Sequence, residues 1–417
     1  MFQWKKYISA TTGLVLLSSM LIGAVSASTP SEGPGQSAYR VVAIGDSLTV
    51  GYEPAMDENS VPYGFVERLY EQGLFRGRTT VANYGILGLK GTGLEHFVEA
   101  AKKGQSITAD AIQAGLPDPR ADKIGASAIQ LKEDITSADL ITITIGGNDF
   151  KPIIESSLTS GSEGLMSSME SLFTSYKTSM TSVIGNIHEL NPDALIVVAD
   201  QYNPIPSIAN REIYPNLINS ATAFTDVVDK LAAGYQSQGV NVKVAHVAKE
   251  FAGGESTMTH IIADRDIHPN QLGYEAIAKV FTETIWGQYL KPSTVDKALP
   301  MTIVVKGQEL KTPYQPVLRN NQNYVAIKDI VDAVGATSTW DSKTSSATIT
   351  NGDLTVVITI GSSSVVVNGQ SIPVSTPAFI NKVGKEGKTY VPLAVLATGL
   401  GFDVEYSAKL RTAFINP

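Results

Sequence analysis

The stretch Val41–Pro54, VVAIGDSLTVGYEP, places Gly-Asp-Ser directly after four apolar residues. A short apolar run bounded by glycine is typical of a strand that is buried on both faces of a parallel sheet. Ser47 then follows this strand at its carboxyl end, which is the edge where open α/β sheets hold their ligands. The stretch predicts an α/β fold, and it raises the question of whether the Ser47 hydroxyl carries out chemistry.

Further strand-like runs follow, and helix-like stretches separate them. The candidate strands are Val41–Ile44, Thr79–Asn83, Leu140–Ile145, Ala194–Ala199 and Val240–His246. Alternating strands and helices are typical of βαβ units, which form a parallel sheet with helices on both faces. We therefore predict a three-layer, doubly wound α/β domain over residues 38–292, followed by a smaller module.

The beginning of the chain has the pattern of a secretory signal peptide. Lys5 and Lys6 precede an apolar run that ends in Val25-Ser26-Ala27, which predicts a signal peptide over residues 1–27. A membrane anchor is the rival interpretation, but the apolar run is shorter than the ~20 residues that span a bilayer. We therefore expect a protein that is secreted or associated with the cell wall.

Composition excludes several classes of function. Removing residues 1–27 changes the net charge from −8 to −10, and this acidity argues against nucleic acid as a partner. The chain contains no cysteine, which excludes disulfides, thiolate metal sites and a cysteine nucleophile. The length of 417 residues exceeds the ~250–300 residues at which a single core usually stops growing, so we expect two domains.

The last part of the chain contains an internal repeat. Tyr324 pairs with Tyr390, Gly335 with Gly401, and Trp340 with Tyr406, each pair 66 residues apart. Two units of strand, turn and short helix predict a small α+β module. The segments VVKGQEL…NYVAIKDIVDAVG and VVNGQSI…TYVPLAVLATGLG resemble the copper amine oxidase N-terminal-like stalk domain, over residues 298–417. All five histidines lie at or before His268, so this module has no imidazole to offer copper. We expect it to be dispensable for chemistry, and cell-wall association through it stays open.

Four separated segments carry residues that belong together. They are IGDSLTVG with Ser47, NYGILG with Gly88, ITIGGNDF with Asn148 and DRDIHPNQLGY with His268. In this order they resemble the four blocks of the SGNH, or GDSL, hydrolase family. The resemblance implies that Ser47 is the nucleophile and His268 its general base. It also implies an oxyanion hole formed by the backbone N–H groups of Ser47 and Gly88 and the side-chain amide of Asn148.

These residue types suit acyl transfer. A serine hydroxyl is a weak nucleophile and needs a neutral imidazole to take its proton. The negative charge that develops on the attacked carbonyl oxygen needs preorganised hydrogen-bond donors.

The group that orients His268 is left open by the sequence. Family members usually carry aspartate three residues before the histidine, and Arg265 stands at that position, between Asp264 and Asp266. Alternation along an extended loop favours Asp266, while Asp264 and the Arg265 carbonyl remain alternatives. His260 is interpreted as a solvated loop histidine, and Asp149 as part of a turn.

We therefore expect a serine esterase that acts on small acyl or acetyl esters and uses neither metal nor cofactor. The substrate would be a small-molecule ester or a glycan or lipid ester. The alternatives are a lysophospholipase or thioesterase, and a non-catalytic binding protein associated with the cell wall. The four intact blocks count against the non-catalytic alternative.

Overall fold

The fold is seen in a computed structural model that describes residues 37–57, 59–151, 165–293, 299–320 and 322–417. The predicted signal peptide, residues 1–27, lies outside the described residues. Among the helices that the structure describes, none is long and apolar enough to cross a membrane.

The first domain is built on a parallel sheet, in which the structure describes five strands in the order β2-β1-β3-β4-β5. The strands are β1 (Tyr39–Gly45), β2 (Thr79–Gly85), β3 (Leu140–Thr144), β4 (Leu195–Ala199) and β5 (Val242–Ala245). Each predicted strand overlaps one of them. β2 lies on one side of β1, and β3 lies on the other, so the order of the strands reverses at β1. In open α/β sheets such a reversal opens a crevice at the carboxyl ends of the two central strands.

Helices cover both faces of this sheet. They are α1 (Ser47–Val50), α2 (Phe65–Leu74), α3 (Gly91–Lys103), α4 (Ala109–Ile112), α5 (Ala121–Ala126), α6 (Ala128–Ser137), α7 (Leu165–Leu190), α8 (Tyr214–Gln236), α9 (Val247–Phe251), α10 (Glu255–Met258) and α11 (Gln271–Trp286). Successive side chains of β1 enter different cores, because Val42 belongs to the apolar cluster that contains Phe97 and Val41 to the one that contains Phe65. Burying each of these rings stabilises the fold by roughly 1.5–3 kcal/mol. The predicted three-layer α/β fold is confirmed.

The C-terminal module is rich in short strands. Its elements are β6 (Thr302–Val305), β7 (Gln308–Glu309), β8 (Val317–Arg319), β9 (Gln322–Ala326), α12 (Ile327–Val334), β10 (Thr337–Asp341), β11 (Ser346–Asn351), β12 (Leu354–Thr359), β13 (Ser364–Val367), β14 (Gln370–Pro373), β15 (Phe379–Val383), β16 (Glu386–Pro392), α13 (Leu393–Gly399), β17 (Asp403–Ser407) and β18 (Thr412–Asn416). The sheet orders are β10-β11-β12-β13-β14, β15-β16-β9-β8 and β17-β18-β6-β7. The sequence repeat appears as Tyr324 and Tyr390, both fully buried on the paired strands β9 and β16. The predicted α+β module is confirmed.

The C-terminal module packs against the end of α2. Leu74 and Phe75 form one apolar cluster with Val304 and Phe414 of the module. The rings of Phe75 and Phe414 meet edge to face, with centroids 4.9 Å apart. The side-chain amide of Asn416 donates to the Leu74 carbonyl at 2.9 Å, which satisfies a carbonyl at the helix end.

The same interface holds a buried carboxylate, Glu71 of α2, which is only 6% exposed. The Ser407 hydroxyl donates to Glu71 Oε1, and the Tyr63 hydroxyl donates to Glu71 Oε2 at 2.8 Å. Burial raises the pKa of Glu71, although these hydrogen bonds act in the opposite direction. The module therefore satisfies a polar group of the first domain as well as covering its apolar residues.

Candidate active site

Ser47 lies at the carboxyl end of β1, at the first position of α1. Gly45 has a φ of 144°, and a Cβ atom there would lie 2.1 Å from the Thr144 carbonyl oxygen, so glycine is needed where β1 ends beside β3. Asp46 caps α1, because its Oδ1 accepts a hydrogen bond from the Leu48 N–H at 3.1 Å. Since Asp46 provides the cap, the Ser47 hydroxyl is left for another partner.

That partner is His268. Ser47 Oγ lies 2.8 Å from His268 Nε2. On the other side of the ring, His268 Nδ1 lies 2.5 Å from Asp266 Oδ1, which also accepts the His268 backbone N–H at 2.8 Å. Ser47 is 7% exposed and the His268 side chain 22% exposed, so the pair is not completely buried. In this geometry the imidazole can take the hydroxyl proton while Asp266 fixes its orientation.

The two candidate aspartates contact different histidines. The structure places Asp266 on His268, whereas Asp264 Oδ2 lies 2.8 Å from His260 Nδ1. The loop is not extended as we expected, since Arg265 has a φ of 55° and the chain turns there. Asp266 therefore reaches His268 through a local turn rather than through strand-like alternation. Partial burial acts to raise the pKa of Asp266, but hydrogen bonds and electrostatic attraction from His268 bring it below its ordinary value.

Gly88 lies on the loop that follows β2. Its φ is 77°, and a Cβ atom there would lie 2.5 Å from Pro117 Cδ, so a side chain is excluded on both grounds. The loop is held on both sides of this glycine. The Leu87 N–H donates to Asp118 Oδ2 at 2.8 Å, and Gln113 Nε2 donates to the Gly88 carbonyl at 3.0 Å. The direction of the Gly88 N–H is therefore fixed before any ligand binds.

Asn148 lies just beyond the end of β3, in a helical stretch at 147–151. Its Nδ2 donates to the Leu89 carbonyl at 3.0 Å, which leaves the second amide hydrogen for a ligand. Asp149, expected only to form a turn, accepts the Gly91 N–H at 3.1 Å. These two contacts fix Asn148 relative to the loop that carries Gly88. The three predicted oxyanion donors thus come from the carboxyl ends of β1, β2 and β3.

A buried polar network lies beside the nucleophile. Asp46 Oδ1 accepts a hydrogen bond from Thr144 Oγ1 at 3.0 Å, and Thr49 Oγ1 lies 2.7 Å from the same Thr144 oxygen. Asp46 is 2% exposed, and burial raises its pKa to about 7 against the opposing effect of its hydrogen bonds. This network ties β1 to β3 next to Ser47.

Two tyrosines of the site were not predicted to contact the histidine loop. The Tyr52 ring stands edge-on to the His268 ring, with centroids 4.7 Å apart. The Tyr202 hydroxyl donates to the Ile267 carbonyl at 2.9 Å. Tyr52 belongs to the opening stretch and Tyr202 to a Tyr-Asn-Pro segment, but neither pattern indicates its distant partner.

His260 is not the solvated histidine that the sequence suggested. Its side chain is 21% exposed, and its two ring nitrogens face the carboxylates of Asp264 and Glu53. Within the described ranges, no group of three or more His, Asp and Glu side chains is arranged to hold a metal ion.

Comparison with known families gives a match over each half of the chain. Residues 43–276 match the GDSL-like lipase/acylhydrolase family, and residues 304–415 match the copper amine oxidase N-terminal domain. The first match covers more than half of the chain and includes Ser47, Gly88, Asn148 and His268. The chain belongs to the GDSL-like lipase/acylhydrolase family. The sequence resemblance to this family of ester hydrolases is thereby confirmed, as is the resemblance of the C-terminal module.

Three individual proteins that are similar to this GDSL-family chain share low sequence identity with it. The uncharacterized protein YpmR of Bacillus subtilis is 24% identical over 169 residues, and the match spans 40% of this chain and 62% of that protein. A lipase from a goat rumen metagenome has 20% identity and a TM-score of 0.41 over 61% of this chain and 100% of its own. A catalytic mutant of an acetylxylan esterase from Geobacillus stearothermophilus has 16% identity and a TM-score of 0.38 over 61% of this chain and 98% of its own.

Proposed function

We propose that this protein is a serine esterase that hydrolyses small acyl or acetyl carboxylic esters through an acyl-enzyme. The observation that carries the proposal is the 2.8 Å contact between Ser47 Oγ and His268 Nε2, with Asp266 on the other ring nitrogen. A nucleophile, a base and an orienting acid in this order are what acyl transfer requires. The positions of Gly88 and Asn148 at neighbouring strand ends support the same chemistry.

The proposed reaction has two halves. Ser47 Oγ attacks the ester carbonyl carbon while His268 Nε2 takes the hydroxyl proton, and the oxyanion is stabilised by the N–H groups of Ser47, Gly88 and Asn148. The C–O bond to the alcohol breaks, and the imidazolium gives its proton to the departing oxygen. Water then attacks the acyl-serine, His268 takes a proton from it, and the carboxylic acid leaves as Ser47 regains its hydrogen.

The test compares the wild-type protein with Ser47→Ala on p-nitrophenyl esters from acetyl to palmitoyl. We expect Ser47→Ala to retain less than about a thousandth of the wild-type kcat, because the residual catalysis of a site without its nucleophile is of that order or below. Ser137→Ala, an exposed serine at the end of α6, is the matched control and should be unchanged. Substantial turnover by Ser47→Ala would overturn the assignment of the nucleophile.

The same assay separates the alternative functions. Preference for acetyl and short acyl chains, extended to acetylated xylan and peptidoglycan, would support the proposed substrate class. Preference for lysophospholipids or acyl thioesters would favour a lysophospholipase or thioesterase. A wild-type protein that hydrolyses none of these would favour the non-catalytic binding protein.

We further propose that the protein is exported, which rests on the pattern of residues 1–27. Fractionation of a producing culture, with N-terminal sequencing of the extracellular protein, tests this. Mature protein that begins after Ala27 is expected in the medium or the cell-wall fraction. Protein that keeps these residues and stays in the membrane fraction would contradict export.

A further inference from the structure

The loop that carries His268 holds a second histidine in a different chemical environment. His260 Nδ1 lies 2.8 Å from Asp264 Oδ2, and His260 Nε2 lies 3.0 Å from Glu53 Oε1. Both contacts are within hydrogen-bond distance, and the two partners come from different loops. His260 thus connects its own loop with the one that follows the nucleophile helix α1.

This geometry fixes the charge of the His260 ring. An ionised carboxylate can only accept hydrogen bonds, and a neutral imidazole has a single N–H to donate. With an ionised carboxylate on each nitrogen, both nitrogens must carry a proton, so the ring is an imidazolium. Partial burial acts to lower the pKa of His260, but the hydrogen bonds and charges of Glu53 and Asp264 raise it above the ordinary value.

His268 differs in the partner on its Nε2. That partner is the Ser47 hydroxyl, which can donate its hydrogen, so His268 is satisfied as a neutral imidazole with its proton on Nδ1. Two histidines eight residues apart therefore have different partners. His260 faces two carboxylates, whereas His268 faces one carboxylate and the hydroxyl of the nucleophile.

The His260 contacts reach the catalytic residues by short paths. The His260 backbone N–H donates to the His268 carbonyl at 3.0 Å, which joins the two ends of the loop. Glu53 directly follows Tyr52, whose ring stands against that of His268. The other oxygen of Glu53 accepts Gln271 Nε2 at 2.7 Å, from the first turn of α11. A single imidazolium thus links the segments on either side of the Ser47–His268 pair.

We propose that His260 is a positioning residue, a charged bridge between Glu53 and Asp264 that holds the His268 loop against the segment that follows the nucleophile helix. The proposal rests on the proposed esterase function. The charged and titratable groups that face the bridge are Glu53 from the segment after α1, and Asp264, Asp266 and His268 from its own loop. On the side of α11 the neighbour is the uncharged Gln271, which in turn bonds to Arg68 of α2.

The bridge has a consequence for pH dependence. Loss of the His260 proton at alkaline pH leaves one of the two carboxylates without its donor, so the loop loosens and kcat falls. A residue that served stability alone would not give kcat such a dependence below the alkaline unfolding range.

The kinetic test uses His260→Gln and Glu53→Gln, with His246→Gln as the control, since His246 lies beside Asp200 and Asp229 away from this loop. We expect the first two variants to lose on the order of ten- to a hundredfold in kcat at neutral pH, because small misplacements of catalytic groups have effects of this size. KM should change far less. The alkaline decline should disappear in His260→Gln and should begin at lower pH in Glu53→Gln. A His260→Gln variant with wild-type kcat and a wild-type alkaline decline would overturn the proposal.

A measurement that does not depend on catalysis distinguishes failure of this proposal from failure of the proposed esterase function. In ¹⁵N spectra of the five imidazole rings, His260 should remain doubly protonated at pH 7.5, and Glu53→Gln should lower the pKa of His260. The low-field proton between His268 and Asp266 should broaden or vanish in His260→Gln when the fold is intact by circular dichroism. A neutral His260 at pH 7.5, or an unchanged low-field proton in the variant, would overturn the bridge even if the enzyme hydrolyses no ester tested.

Discussion

Asp266 accepts two hydrogen bonds from the same residue, His268, at 2.8 Å from its backbone N–H and 2.5 Å from its ring Nδ1. The turn at Arg265 brings the carboxylate back over the histidine that follows it. The usual family spacing of three residues is thus replaced here by a spacing of two. The carboxylate still meets the nitrogen that faces away from Ser47.

This relationship predicts unequal effects for the two neighbouring aspartates. Asp266→Asn should lower kcat on p-nitrophenyl acetate by a hundredfold or more, because the amide neither enforces the tautomer nor stabilises the imidazolium. Asp264→Asn should cost less, on the order of tenfold, because it removes one carboxylate of the His260 bridge and leaves Asp266 on His268. A larger loss in Asp264→Asn than in Asp266→Asn would show that Asp264 orients His268. Equal, small losses would leave the Arg265 carbonyl as the acceptor.

Asn148→Ala should lower kcat by about a hundred- to a thousandfold with little change in KM, as expected for one oxyanion donor of three. The two backbone donors at Ser47 and Gly88 remain in this variant. Steady-state kinetics on p-nitrophenyl acetate measure the effect. Asn241→Ala, an exposed position before β5, is the control. If kcat is unchanged in Asn148→Ala, the amide does not face the reacting carbonyl.

Asp46→Asn should change how stability depends on pH. Burial raises the pKa of Asp46 to about 7, so between pH ~4 and ~7 the folded protein binds this proton more tightly than the unfolded chain does. The free energy of unfolding must then fall as pH rises through this window. The asparagine oxygen can accept the same two hydrogen bonds without a charge.

The variant should therefore gain stability relative to wild type between pH 4.5 and pH 8, by about 3 kcal/mol. Urea unfolding at the two pH values measures this difference. Asp110→Asn, exposed in α4, provides the control. A difference between Asp46→Asn and wild type that is the same at both pH values would mean that Asp46 ionises normally.

Phe414→Ala should destabilise the protein by about 3–5 kcal/mol, as large-to-small changes of buried aromatic residues do. Phe414 is fully buried against Phe75 of the first domain. Trp340→Ala, at a residue of the same module that is 51% exposed, should change stability by no more than about 0.5 kcal/mol. Chemical unfolding of both variants is followed by circular dichroism, because this signal does not depend on the tryptophan that Trp340→Ala removes. Equal effects would mean that the two halves do not pack together in solution.

Much of the first domain could be predicted from the sequence because its strands are buried on both faces. Such strands are often continuous apolar runs, so Val41–Ile44 and Ala194–Ala199 could be predicted without knowing their neighbours. The placement of Ser47 and Asn148 at one sheet edge then follows from parallel strands. This part of the site rests on local pattern and on topology.

The contacts that could not be predicted join residues distant in the sequence. His260 was misinterpreted because one of its carboxylates is Glu53, 207 residues away, and no periodicity marks such a pair. The expected reason for choosing Asp266 was wrong because the backbone conformation of Arg265 is not visible in its residue type. The packing of α2 against the C-terminal module could not be predicted for a related reason. The apolar face of a helix does not indicate which part of the chain will cover it.

The two halves of the chain share one apolar cluster, formed by Leu74, Phe75, Val304 and Phe414. They are therefore separate in sequence but packed together in the fold. Exchange of the C-terminal module for an unrelated one, with the cut made in the connecting segment, would leave the end of α2 uncovered and Glu71 without Ser407. Chimeras should therefore transfer the module together with matching substitutions on α2. We therefore expect a substitution on one side of this interface to be tolerated only together with a complementary substitution on the other side.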